Sequence, residues 1–229
     1  MLCIWDVRSF VLYCFLQLFV VYCVKTAWPT SNTSNVQLLG LFPNLSDTAE
    51  IDRISVHSSA MFKAAILLSQ QYGIKISGEQ IEWQIAQTGG DSITALSGSC
   101  LAVSTSKTMG IIGPAFSRVS HTIADFGKTV GIPVISYAAT DSDLSDRNKY
   151  PTFYRIIPSD NTAALSIVKL FNRFNWTSCI IIHQNDEFGS GGAKTIDQAF
   201  KDSGLIVSQT VVFDIATLSI VGDLKKMLL

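Results

Sequence analysis

The sequence predicts an α/β fold built from two successive parallel-sheet units, the second shorter than the first. Short apolar runs alternate with segments of helical length at regular spacing, which is the pattern of a parallel sheet covered on both faces. The pattern restarts after one long crossover, IPVISYAATDSDLSDRNKYPTFYRIIPSD, from Ile132 to Asp160. The chain has 229 residues, of which 48% are hydrophobic, enough for one large domain or two modest ones.

The elements follow in order. Residues Phe10 to Val24, FVLYCFLQLFVVYCV, are apolar except for Gln17, with Arg8 ahead and Lys25 behind. A run of about 15 apolar residues is short for a bilayer span, so 1–24 reads as a cleaved signal peptide rather than an anchor. A polar linker over 25–35 precedes VQLLGLF, a strand, and a helix around Ile54 to Tyr72. EQIEWQIAQ alternates like a strand, and a helix is expected from Ser92 to Ser106. GIIGP is a fully apolar strand, Ser117 to Val130 a helix and PVISYAA another strand. After the extended TFYRIIP come a helix from Asn161 to Phe174, the strand CIIIHQ, a helix from Phe188 to Asp202 and the strand LIVSQTVVF, with a last helix near Ile220. The first lobe is therefore expected over 36–157 and a partial second lobe over 158–229. An open sheet of two strands is a poor stand-alone domain, so the chain is expected to be a fragment or a truncated product.

A net charge of −1 supplies no basic excess, so nucleic acid and anionic membrane surfaces are not expected partners. Asn32, Asn44 and Asn175 each open an Asn-X-Ser/Thr triplet, candidate glycosylation sites that fit export. Cys3, Cys14 and Cys23 lie in the leader, leaving Cys100 and Cys179. These read either as two small buried residues or as a pair in which Cys100 has lost its partner or bonds another chain. No cysteine–histidine cluster has metal spacing, and no cofactor is expected. His57, His121 and His183 are scattered and no serine sits in a Gly-x-Ser-x-Gly elbow, so nothing supports a hydrolase. His183, at the end of an apolar strand, reads as a satisfied near-core histidine.

Ligands of open α/β sheets bind outside the carboxyl ends of the strands, which places the crossover loop and the GPAFS loop where a ligand would sit. Ser117 in GPAFSRVS opens a helix; it is either an ordinary cap or part of a carboxylate site on the helix N-terminus. Asp160 either caps the next helix or turns its carboxylate toward a cation in the cleft. NDEFGSGG lacks the Gly-Lys-Ser/Thr of a phosphate loop and reads as a strand-to-helix loop presenting Phe188.

YAATDSDLSDRNKYPTFYRIIPSD resembles the extracellular Venus-flytrap domain of class C G-protein-coupled receptors, and looks closest to metabotropic glutamate receptors, with a GABA-B-like touch in Tyr150-Pro-Thr-Phe. VQLLGLFP, GIIGPAFSRVS, FNWTSCIIIHQNDEFGSGG and DLKKML are similar to the same family at compatible spacings, so the resemblance runs from about Val36 to the end. It implies a type I periplasmic-binding-protein fold, two Rossmann-like lobes closing on a small ligand, and no enzymatic activity. It also implies that Ser117 and the backbone at Ala138 and Ala139 hold an α-carboxylate, while Thr140, Asp160 and the aromatic at 188 surround an α-ammonium. Phe188 departs from the family's tyrosine, keeping a ring face for the cation without the hydroxyl. The family's basic residue for the distal carboxylate of glutamate falls near His57, with Arg53 one turn away, and a further acidic ligand falls beyond Leu229. An α-amino acid is thus implied without fixing glutamate. Homo- or heterodimerisation through lobe 1, a place outside the cell, and G-protein coupling through regions absent from this chain are further implications. The alternatives are a soluble transport-type amino-acid-binding protein and a natriuretic-peptide-type or ionotropic glutamate receptor ectodomain.

Overall fold

The computed structural model describes residues 35–43 and 49–214. The leader, Asn32, Asn44 and the helix expected near Ile220 lie outside the described residues. The chain divides into two compact units, Met1–Ile112 and Gly113–Leu229. The lobe boundaries expected at 36–157 and 158–229 follow connectivity rather than compactness and remain a proposal.

The first unit contains β1 (Val36–Phe42), α1 (Ala49–Gln71), β2 (Lys75–Ile76), β3 (Glu79–Gln87), α2 (Ser92–Thr105) and β4 (Thr108–Ile112). β1 pairs in parallel with both β3 and β4, and β2 runs antiparallel to β3. A strand with neighbours on both edges and helices to cover it has no polar side to present, which is why VQLLGLF is nearly all apolar. Val36, Leu39, Leu41 and Phe42 are buried, together with Phe62 and Ile66 of α1. The Phe42 and Phe62 rings meet at 5.7 Å between centroids. Gly40 makes this possible, because a Cβ there would stand 2.8 Å from the Phe62 ring. Asp91 caps α2, accepting from the Thr94 amide at 2.7 Å. The two-residue β2 was not expected. It is set by the Ser77-Gly78 turn, where both residues have positive φ (52° and 84°), the combination a tight hairpin with right-handed twist requires.

The second unit contains α3 (Ser117–Val130), β5 (Val134–Ser136), a 3-10 turn (Ser142–Ser145), β6 (Phe153–Arg155), α4 (Asp160–Phe174), β7 (Ser178–Gln184), α5 (Glu187–Asp202) and β8 (Ile206–Phe213). β5 pairs in parallel with β6, and β7 with β8. α3 buries Ser120, Ile123, Ala124 and Gly127, the i, i+3, i+4, i+7 stripe of a helix lying on a core. It ends at Gly131 in the left-handed region. Around α4 and α5 the core is aromatic: Phe200 is fully buried, its ring meets Phe171 edge-on at 4.9 Å, and Trp176 meets Phe171 at 5.3 Å. α4 and α5 each begin one residue earlier than expected, within the ordinary uncertainty of helix ends.

Among the described residues no helix is long and apolar enough to cross a membrane, and no group of three or more His, Cys, Asp or Glu is placed to hold a metal ion.

Candidate functional site

The site residues expected from 117 to 188 all fall in the second unit, around the loop that leaves β5. Ser136, the last residue of β5, is fully buried and anchors this loop from one side. Its hydroxyl donates to the Pro114 carbonyl at 2.7 Å and accepts from the amides of Ala138 (3.3 Å) and Ala139 (3.0 Å). From the other side, Arg155 Nη1 donates to the carbonyls of Ala139 (3.2 Å) and Asp141 (2.9 Å), and Nη2 reaches Ser145 Oγ. Between those two carbonyls, that of Thr140 accepts from the Asp160 amide at 2.9 Å. The Asp141 amide donates to Ser117 Oγ at 3.4 Å.

The backbone from Ala138 to Asp141 is therefore satisfied almost throughout, and two side-chain atoms beside it are not. Among the described residues the buried side-chain atoms without a hydrogen-bond partner are Gln37 Oε1, Thr152 Oγ1, Thr140 Oγ1 and Asp160 Oδ2. Such orphans are uncommon and cost free energy, so two of them side by side require a reason. Burial pushes the Asp160 carboxyl above the usual carboxylate range, and the charge of Asp141 pushes it further. The nearby Thr140 hydroxyl and the Arg155 charge oppose this in part.

Neither Ser117 nor Asp160 is a helix cap. The N-caps are Phe116 and Ser159, neither of which makes a side-chain capping bond, and Ser117 and Asp160 are each the first helical residue. Ser117 is buried, with its oxygen on the Asp141 amide. Phe188 is half-exposed near the start of α5. Gly192, four residues on and so on the same helix face, lies against Asp160: a Cβ there would sit 3.8 Å from Oδ2.

The structure also assembles a set that the sequence reading left scattered. His121 Nε2 lies 2.6 Å from Asp141 Oδ2, and its Nδ1 lies 2.7 Å from the Tyr150 hydroxyl. With Nε2–H donating to the carboxylate, the neutral ring accepts from the tyrosine. Asp141 Oδ1 accepts from the Asp143 amide at 3.1 Å. Burial pushes the Asp141 carboxyl up, but the bonds from His121 and the Asp143 amide outweigh it and hold the group below the usual carboxylate range. Only one hint was legible beforehand: His121 lies one turn after Ser117 on the same face of α3. A cleft of about 500 Å³ opens here, lined by His121, Asp125, Asp141, Lys149, Glu187 and Lys194. Ser142 Oγ and Thr195 Oγ1 meet at 2.8 Å, tying the loop to α5.

The remaining sequence candidates fall elsewhere. His57 is exposed on α1. His183 Nδ1 meets the Gln184 carbonyl at 2.8 Å, in line with a satisfied near-core histidine. Cys100 is exposed on α2, so the reading of both cysteines as small buried residues does not hold for it, while Cys179 is half-buried in β7, where burial pushes its thiol up. Asn175 is exposed at the end of α4, in the left-handed region with φ 54°.

The family model described as "Receptor family ligand binding region" matches residues 62–228. The chain belongs to this family. It is 34% identical over 105 residues to metabotropic glutamate receptor-like protein E of Dictyostelium discoideum, a stretch covering 46% of this chain and 13% of that protein. Over 91 residues it is 36% identical to glutamate receptor 3.7 of Arabidopsis thaliana, covering 40% of this chain and 10% of the relative. Against metabotropic glutamate receptor 4 of Macaca fascicularis it is 32% identical over 106 residues, 46% of this chain and 12% of the relative. The chain thus matches only a small part of each relative's length. The resemblance to class C receptor ectodomains holds, the fold is the α/β one of type I periplasmic-binding proteins, and the relatives of this receptor family are receptors rather than enzymes.

Proposed function

We propose that this chain is the ligand-binding region of a class C-type receptor and takes a small α-amino acid, whose ammonium group sits between Thr140, Asp160 and the Phe188 ring. The observation that carries this reading is the pair of buried, unpartnered oxygens, Thr140 Oγ1 and Asp160 Oδ2, flanking a loop whose backbone is otherwise satisfied. An ammonium is a donor to both oxygens and supplies the charge a desolvated carboxylate lacks. Ser117 and the amides of Ala138 and Ala139 take the ligand's carboxylate, supported by the α3 N-terminus, where Phe116 at the N-cap makes no side-chain capping bond. Ser136 engages those two amides, so carboxylate binding shares or displaces these bonds.

Lobe closure on the ligand, export through the 1–24 leader, a glycan at exposed Asn175 and dimerisation through the first lobe complete the proposal. A second reading, an ionotropic glutamate receptor ectodomain, leaves the ligand chemistry unchanged, and the match to a protein named glutamate receptor 3.7 is compatible with it.

Calorimetry with a panel of L-amino acids and their decarboxylated amines tests the site. A charge-assisted hydrogen bond contributes about 1.5–3 kcal/mol, so Asp160→Asn should weaken amino-acid binding roughly ten- to a hundredfold. Equal affinity of the wild type and Asp160→Asn would remove Asp160 from the site, and equal binding of amino acids and amines would remove the carboxylate half.

A further inference from the structure

We infer that Arg155 is the positioning residue of the proposed ammonium site: its guanidinium clamps the carbonyls on either side of Thr140 and stations a fixed positive charge beside Asp160. This deepens the ligand reading given above and rests on it for the identity of the site.

The geometry starts in the sheet. Ser136 and Arg155 are partners across the β5–β6 ladder, and both turn to the same loop. Ser136 takes the loop's amides at 138 and 139; Arg155 takes its carbonyls at 139 and 141. With the Asp160 amide on the Thr140 carbonyl, three successive carbonyls are held, which fixes the backbone from which the Thr140 hydroxyl projects. One atom, Nη1, spans the two outer carbonyls while Nη2 reaches Ser145, an arrangement that needs a planar fork and that an ammonium on a flexible stem does not reproduce.

The charge adds to the fork. The charged groups acting on Asp160 are Asp141, which opposes its ionisation, and Arg155, which favours it. Those acting on Arg155 are Asp160 and Asp141, which favour its charge, and Arg147, which opposes it. Without Arg155, Asp160 would face burial and a neighbouring carboxylate with only the Thr140 hydroxyl to offset them. A carboxylate that takes up a proton cannot pair with an ammonium, and the Arg155 charge opposes that protonation of Asp160 without touching the ligand.

Two measurements on the full chain, neither using ligand, test this. The Asp160 carboxyl is titrated by ¹³C NMR, its signal assigned by its loss in Asp160→Asn, and amide exchange is followed at Ala138, Ala139 and Asp141. In Arg155→Gln the Asp160 midpoint should move to higher pH and these amides should exchange at least about tenfold faster. In Arg155→Lys the midpoint should stay near that of the wild type while exchange still accelerates, separating charge from fork. Ser145→Ala, which removes only the Nη2 contact, should accelerate exchange without moving the midpoint, and it carries the test if Arg155→Gln does not fold. An unmoved midpoint in Arg155→Gln, or unchanged exchange in Arg155→Lys and Ser145→Ala, would overturn the assignment. A wild type that binds no amino acid would instead overturn the ligand reading and leave the positioning role of Arg155 standing.

Discussion

Replacing Gly191 by alanine should destabilise the second unit, while the same change one residue later should not. A Cβ at Gly191 would stand 2.6 Å from Asp141 Oδ1 and 2.9 Å from its Cγ. Asp141 cannot swing aside easily, because His121 holds one oxygen at 2.6 Å, the Asp143 amide holds the other at 3.1 Å, and the side chain is buried. Overpacking against a fixed group costs about 1–3 kcal/mol. Alanine in a helix recovers up to about 1 kcal/mol relative to glycine, which blurs the single measurement. Gly192→Ala supplies the control: it gains the same propensity, and its Cβ would meet Asp160 Oδ2 at an ordinary 3.8 Å. The difference between the two variants isolates the steric cost at about 1–3 kcal/mol, or roughly 2–12 °C in Tm for a chain of this size. Thermal unfolding by circular dichroism reads it. Equal midpoints for Gly191→Ala and Gly192→Ala would show that the Asp141 side chain is not held as described.

Phe200→Ala should cost about 3–5 kcal/mol in urea unfolding, because the ring is fully buried against Phe171 and little can collapse into its place. The folded-state pKa of Asp160 is raised, so its contribution to stability is present below the unfolded value near 3.8 and is lost as pH rises through the folded value. Asp141 has the opposite sign: its contribution is present above 3.8 and is lost as pH falls through its depressed folded value. Asp160→Asn should therefore raise the Tm at pH 7 while weakening amino-acid binding, a trade that paired thermal scans at pH 4 and pH 7 detect. Asn175→Gly removes the exposed sequon yet keeps the left-handed conformation at the end of α4, so it should abolish any glycan there with a stability change within about 0.5 kcal/mol, whereas Asn175→Ala should cost about 1 kcal/mol. Mass spectrometry of secreted protein and thermal unfolding of the two variants check both parts.

What could be read beforehand was what depends on neighbours in sequence. Alternating apolar runs and helical stripes located β1, β3, α3 and β7 within a residue or two, because a strand buried on both faces or a helix lying on a core leaves a local signature. β2 escaped because two residues carry no periodicity, and its cue, a serine-glycine turn with positive φ at both positions, is conformational. In the site, the resemblance named Thr140 and Asp160, which carry two of the four buried side-chain atoms without a hydrogen-bond partner among the described residues. What could not be read was the support beneath them. Ser136 lies inside an apolar strand and Arg155 inside an extended segment, so each read only as a strand residue. Their common task follows from the β5–β6 register, which sets residues 19 positions apart side by side. His121, Asp141 and Tyr150 likewise meet only once the loop has folded back over α3. On the ammonium side of the proposed site the unpartnered oxygens belong to Thr140 and Asp160, while Ser136 and Arg155 hold the loop beneath them, and that supporting pair is visible only in three dimensions.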